Sequence, residues 1–218
     1  GYGSAPERPW FFCVSYTHPH DPPNITPEWW NLYDEADIDM PMPNPHSDQP
    51  LHPVDKWLVE YLGLEQLELT EADVRRSRLG YYAMTSYFDH KVGELVDALD
   101  TFGLRENTIV LVTSDHGDMV GEHQLWFKRT FYEWSARVPL IVSCPRHYPS
   151  GKNVSEVVSL VDLFPTLLDM AGLPPASNID GHSVAGMISG SNPEWKDEAV
   201  IDFTSAGSIR PWRAVRQG

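Results

Sequence analysis

The sequence predicts an α/β domain built on a mostly parallel sheet. Three short runs, "PWFFCVSY" (9–16), "NTIVLVTS" (107–114) and "VPLIVSCP" (138–145), are largely apolar throughout. Such runs suit strands covered on both faces. Between the first and second lies a long stretch with helical spacing of apolar residues, and another helical stretch follows the third. The composition is globular, with 41% apolar residues in 218, enough chain for one sizeable core.

Taken in order, the first run passes into "THPHDPPNIT", a loop by its prolines. "PEWWNLYDEA" reads as a short helix with Pro27 at its first position. Residues 37–53 are dense in Pro, Asp, Asn and His, and predict a surface excursion without regular structure, a candidate lid. Thr70 and Asp73 make a capping box for a helix running to Phe102, with Leu79, Ala83, Val92, Leu95 and Leu99 on one stripe and Gly103 at its end. "SLVDLFPTLLDMAG" predicts a helix start, with Asp162 as cap, Pro165 in the first turn and Gly172 at the stop. "EAVIDF" and "RAVRQG" predict two further strands. No repeat is visible, and one domain accounts for the pattern. Both ends of the chain run into strand-like sequence, which predicts a piece of a longer protein.

The net charge is −15, from 31 acidic and 16 basic residues, with no basic cluster. Nucleic acid is therefore not an expected partner. No apolar stretch approaches the ~18 residues of a membrane span. An anion site on so acidic a chain must be locally positive, whereas a cationic substrate portion would be welcome. Cys13 and Cys144 both lie in apolar runs and are expected as buried free thiols. The sequons at Asn24 and Asn153 carry meaning only in a eukaryotic secretory pathway.

Three clusters could carry chemistry. Asp115 and His116 stand where "IVLVTS" runs out, and in open α/β sheets ligands bind beyond the carboxyl ends of strands. A carboxylate and an imidazole are suitable divalent-metal donors, and Gly117 and Gly121 let the backbone turn closely around a ligand. The bland alternative is that Asp115 caps the next segment and His116 only hydrogen-bonds. His18 and His20 follow another predicted strand end, and could ligate a metal, bind an oxyanion or pass a proton; otherwise they are surface histidines between prolines. Lys128 lies among Trp126, Phe127, Phe131, Tyr132 and Trp134. It either snorkels or aims a point charge at an anion, with Glu133 near enough in sequence to hold it. A cation holder, a histidine and a lysine at one sheet edge would stabilise oxyanion charge, which points to hydrolysis of a sulfate or phosphate ester.

Over nearly its whole length the chain resembles the sulfatases of the alkaline-phosphatase superfamily. "SDHGD" alone is moderately specific, whereas "DHGD…K…E…RVPLI…VDLFPTLLDMAG" in that order is strong. "THPHDP", "WFK" and "SARVPL" resemble bacterial choline-sulfatases more than arylsulfatases. The resemblance implies an alkaline-phosphatase-like α/β/α sandwich, represented here by a partial catalytic domain over residues 1–218. It implies that Asp115 and His116 bind a divalent metal, usually calcium, with magnesium or manganese as alternatives. It implies that His20 and Lys128 contact the sulfate, with His18 as a further catalytic candidate. The family nucleophile is a formylglycine made in a C/S-x-P-x-R motif. "CPRHYP" at Cys144 departs from that motif and lies after the metal pair, so the nucleophile is expected upstream of this chain, and a C-terminal subdomain beyond it. Trp134 stands where the family commonly has a glycine.

A choline head group would be held by aromatic faces and carboxylates, for which Asp202, Phe203 and Trp212 are candidates; ordinary core aromatics are the alternative. The resulting expectation is a sulfuric ester hydrolase acting on a small-molecule sulfate ester, inactive as these 218 residues alone. A phosphonate monoester or phosphodiester hydrolase, or a non-catalytic module holding metal or anion, are the alternatives. A homo-oligomer, and a bacterial cytoplasmic or periplasmic location, complete the expectations for the intact protein.

Overall fold

The computed structural model describes residues 9–42, 48–191, 194–204 and 208–218. Part of the proline-dense excursion, residues 43–47, lies outside the described residues. The chain forms two compact units.

The first unit comprises residues 1–50, 65–108 and 118–127. Its spine is a long helix. The short helix α1 (Pro27–Trp30) begins on Pro27, as expected for a residue with no amide hydrogen to satisfy. Helix α3 (Glu71–Thr101) follows α2 (Pro53–Leu62), which belongs to the second unit, in chain order. The Thr70 capping box starts it: Asp73 accepts from the Thr70 amide at 2.9 Å, and the Thr70 hydroxyl accepts from the Asp73 amide at 3.2 Å. Gly103, at φ 66°, takes the left-handed turn that ends it. Leu79, Ala83 and Met84 are buried along its N-terminal half. Gly80 lets α1 and the preceding loop approach, since a methyl group there would come within 2.7 Å of Pro23 Cβ. The hairpin of β2 (Met119–Val120) and β3 (Trp126–Phe127) completes this unit.

The second unit comprises residues 51–64, 109–117 and 128–218. It holds α2 (Pro53–Leu62), the antiparallel pair β1 (Val110–Thr113) and β4 (Leu140–Ser143), the short α4 (Glu133–Ala136), α5 (Leu163–Met170) and α6 (Ala185–Ser189). It ends in a ribbon of β5 (Glu198–Phe203) and β6 (Trp212–Gln217). Asp162 is 1% exposed and organises the start of α5. Its carboxylate accepts from the Ser159 amide and the His182 amide, both at 2.8 Å, and its carbonyl accepts from the Thr166 hydroxyl at 2.6 Å.

The α/β class stands, but three elements differ from expectation. The strand pairs β1–β4, β2–β3 and β5–β6 are all antiparallel, and no parallel pair occurs among the described residues. An apolar run reports that both faces of a strand can be covered; it does not report the direction of the neighbour. Residues 9–16 form no strand, because no described segment lies alongside to make a ladder, and Phe11 and Phe12 are 77% and 73% exposed. Cys13 is accordingly exposed rather than buried, whereas Cys144 is buried as expected; both are free thiols. Finally, the end of the predicted excursion is the start of α2, capped by the His52 ring and stopped by Gly63 at φ 66°.

Two half-buried phenols give the fold an alkaline signature. Burial, with the Asp118 and Glu122 charges, pushes Tyr81 up to about 12. Burial, with a 2.8 Å hydrogen bond from its hydroxyl to Asp55, pushes Tyr132 up to about 12. The folded chain holds these protons more tightly than the unfolded chain. Their contribution to stability is therefore complete below the ordinary tyrosine value of 10.0 and is lost as pH rises through about 12. Absorbance titration at 295 nm should show Tyr81 and Tyr132 ionising late, each late phenol disappearing in Tyr81→Phe or Tyr132→Phe. Simultaneous titration of all nine tyrosines near 10 would contradict this.

Candidate active site

Strand β1 delivers Asp115 and His116. The chain leaves the strand at Ser114, whose hydroxyl donates to the His116 carbonyl at 2.9 Å and lies 3.3 Å from Asp115 Oδ1. The His116 amide donates to Asp115 Oδ1 at 3.0 Å. Gly117 then donates its amide to the Ser135 carbonyl at 2.8 Å. Only glycine fits there, because a Cβ would overlap the Trp134 carbonyl oxygen.

This turn fixes a donor pair. The His116 ring donates Nδ1–H to the Gly117 carbonyl at 2.7 Å, so Nε2 carries the lone pair. That nitrogen lies 3.6 Å from Asp115 Oδ2. A lone pair and a carboxylate oxygen at that range repel unless a proton or cation sits with them. The Asp115 side chain is 85% exposed, so a cation can reach it. Burial is the largest single influence on Asp115 and opposes ionisation. In its protonated form the His116 ring, with the backbone amides and the Ser114 hydroxyl, overcomes it and holds the carboxyl below its usual range.

The pair suits a divalent ion in donor type, one hard anionic oxygen and one imidazole nitrogen. It falls short in number. Among the described residues no group of three or more His, Cys, Asp or Glu gathers at one place. Asp115 and His116 would be part of a ligand set, since such ions take about six donors.

His18 and His20 belong to the first unit. His18 donates through Nε2 to the Asn24 carbonyl at 3.2 Å, and its ring packs 4.9 Å from that of Tyr87 on α3. Those contacts commit His18 to holding the loop. His20 donates through Nδ1 to the Asp21 carbonyl at 2.7 Å, with Asp21 Oδ1 at 3.3 Å, and is exposed. Its Nε2 is then the acceptor nitrogen, the form that can take a proton.

Lys128 belongs to the second unit and is half-buried. Its two neighbours in sequence, Phe127 (φ 69°) and Arg129 (φ 80°), both adopt left-handed backbone. Glu133, read from sequence as a holder for Lys128, accepts instead from Arg216 Nε at 3.0 Å and lies 4.0 Å from Arg137.

Asp202 and Trp212 do not converge. Asp202 pairs across the ribbon with Arg213, and Phe203 with Trp212. Successive strand residues point to opposite faces, so Asp202 and Trp212 lie on different sides. On one side Arg213 grips both Asp202 oxygens at 2.6 and 2.9 Å, in the open. On the other, Trp212 packs against Phe131 and Phe203, with ring centroids at 4.2 and 5.6 Å. This pair cannot enclose one head group.

Sequence reading missed a buried ion pair in the first unit, Arg78 with Glu122, which extends to the exposed Asp39. Arg78 on α3 donates to Glu122 in the hairpin and to both the carbonyl and carboxylate of Asp39. A charged residue beside the apolar stripe at Leu79 and Ala83 was the available signal.

A family model described as Sulfatase matches residues 2–173. A choline-sulfatase of Rhizobium meliloti (strain 1021) is 37% identical over 222 aligned residues, which take in 97% of this chain and 41% of that protein. Arylsulfatase K of Xenopus laevis is 35% identical, over 85% of this chain and 36% of that protein. Among solved structures, a phosphonate monoester hydrolase of Agrobacterium radiobacter is similar at TM-score 0.81 and 29% identity, over 90% of this chain and 42% of that one.

The chain belongs to the sulfatase family, and its fold is of the sulfatase and alkaline-phosphatase type. It spans less than half the length of the relatives it matches. Among the described residues no helix is long and apolar enough to cross a membrane.

Proposed function

We propose that the intact protein hydrolyses the sulfate ester of a small alcohol, in the manner of a choline-sulfatase. The observation that carries this reading is the Asp115–His116 pair, a carboxylate oxygen and an imidazole nitrogen 3.6 Å apart at the end of β1. It stands in a chain whose family acts on sulfate esters, and the relative that aligns with 97% of this chain, and with 41% of its own length, is named a choline-sulfatase.

Asp115 and His116 would supply part of the ligand set of a divalent cation, which would withdraw electron density from a sulfuryl oxygen. The Lys128 ammonium binds the sulfate as a point charge, and its value grows as negative charge collects on the ester oxygens. His20 offers Nε2 to the bridging oxygen or the attacking group, and can carry the proton that must be given to the departing alcohol. His18 holds the loop that presents His20. The attacking group, a formylglycine in this family, belongs to sequence outside this chain, so the isolated 218 residues turn over nothing.

In the intact protein, Lys128→Ala should lower kcat/KM for an aryl sulfate by about 10²–10³-fold, the cost of removing one preorganised charge. His20→Ala should lower it by about 10²–10⁴-fold. Unchanged turnover in Lys128→Ala would refute the assignment. The likeness to a phosphonate monoester hydrolase, at TM-score 0.81, favours one second reading, hydrolysis of phosphonate monoesters. Parallel assays with aryl sulfate and aryl phosphonate esters decide between them, and a larger kcat/KM on the phosphonate selects the second.

A further inference from the structure

The hairpin that leads into Lys128 is held in unfavourable backbone. Its ladder has only the pairs Met119–Phe127 and Val120–Trp126. His123 (φ 54°), Gln124 (φ 61°), Phe127 (φ 69°) and Arg129 (φ 80°) all take left-handed conformations. Residues with side chains persist there only where their surroundings over-determine them. Two of the four flank Lys128.

The restraint is visible within the first unit. Glu122 is 3% exposed. Its Oε2 accepts from the Val120 amide at 2.7 Å, and its Oε1 accepts from Arg78 Nη1. The same Nη1 donates to the Val120 carbonyl at 3.2 Å. The rest of the fork reaches the start of the excursion, Nε to the Asp39 carbonyl at 2.8 Å and Nη2 to Asp39 Oδ2 at 2.6 Å. Gly121, at φ 101°, allows the approach, because a Cβ there would lie 2.8 Å from Pro41 Cγ. One guanidinium thus grips the tip of the hairpin and the Asp39 segment from a rigid helix.

We infer that Arg78 and Glu122 are positioning residues that act through the β2–β3 hairpin to aim the Lys128 ammonium at the substrate anion. The inference rests on Lys128 as the sulfate-binding group. Slippage of a ladder this short by one residue would turn each strand end over. The direction in which the chain enters Lys128 therefore depends on what fixes the hairpin tip. Lysine could supply the charge of Arg78 but not its fork.

The test uses the intact enzyme and four variants: Glu122→Gln, Arg78→Lys, the apolar double replacement Arg78→Met with Glu122→Leu, and Lys128→Ala. Inhibition by inorganic sulfate, KM and kcat for an aryl sulfate, and affinity for the divalent metal are read together. The double variant removes both buried charges at once, so it keeps the core filled and leaves neither charge stranded. Expected is an increase in the sulfate inhibition constant and in KM of about tenfold in the double variant, as for a reactive group displaced by a fraction of an ångström. Glu122→Gln and Arg78→Lys should show a smaller rise, and metal affinity should stay within about twofold of the parent. A parental sulfate constant in the double variant overturns the inference. So does a loss of metal affinity in proportion to the loss of sulfate affinity, which marks general unfolding. Should the double variant fail to fold, parental constants in both single variants overturn it equally. If Lys128→Ala itself leaves sulfate inhibition unchanged, the reading of Lys128 falls and this inference with it. A response in Lys128→Ala alone removes only the clamp.

Discussion

Arg78→Ala should destabilise the first unit by about 3–5 kcal/mol, read as a lower urea midpoint in tryptophan fluorescence. The arginine is 8% exposed and Glu122 is 3% exposed, so truncation strands a carboxylate away from water. Desolvation strips charge from Arg78, but the bonds to Glu122 and Asp39 more than restore it and hold the guanidinium charged. The penalty comes from the abandoned partner rather than from a lost attraction. For that reason Arg78→Met combined with Glu122→Leu should recover most of the loss. A single-variant loss below about 1 kcal/mol, the value of an exposed pair, would show that water reaches Glu122.

Asp162→Ala should cost the second unit about 2–4 kcal/mol by the same measurement. The mechanism is different. Asp162 accepts from the Ser159 and His182 amides, and its removal leaves both donors without that acceptor at a residue 1% exposed. A stranded buried donor costs about 1–3 kcal/mol. Asp162→Asn keeps one acceptor and should lose about half as much. Equal losses in the alanine and asparagine variants would mean that charge, and not acceptor count, is what the site needs.

What could be read from sequence was whatever depends on near neighbours in the chain. Thr70 with Asp73, Pro27 and Gly103 each act within a few residues, and each sits where the local pattern placed it. Asp162, expected as the cap of α5, makes no side-chain cap bond there; it closes a capping box begun by Ser159 and reaches the His182 amide, 20 residues on. Helix α2 carried the same kind of signals, Pro53 at its start and Gly63 at its end, but the surrounding prolines masked them. Strand pairing was not legible. The direction of β4 against β1 depends on which segment arrives alongside, and residues 9–16 lack a ladder for the same reason.

The site divides in the same way. Asp115 and His116 are adjacent, and their chemistry is plain from residue type and from the end of an apolar run. The Arg78–Glu122 bond joins residues 44 apart, and the Arg78–Asp39 bond joins residues 39 apart, so no spacing announces either. Asp202 and Trp212 were grouped because they lie close in sequence, and the alternation of the ribbon separates them.

The left-handed backbone on both sides of Lys128 narrows the permitted alphabet at positions 127 and 129. Valine, isoleucine and threonine are shut out, because a branched Cβ collides with the chain in that conformation. Asparagine or glycine would enter cheaply, and glycine would do so by admitting many other paths for the chain as well. Drift at these two places is thus confined from one side by steric exclusion and from the other by the loss of a single bearing for the ammonium between them.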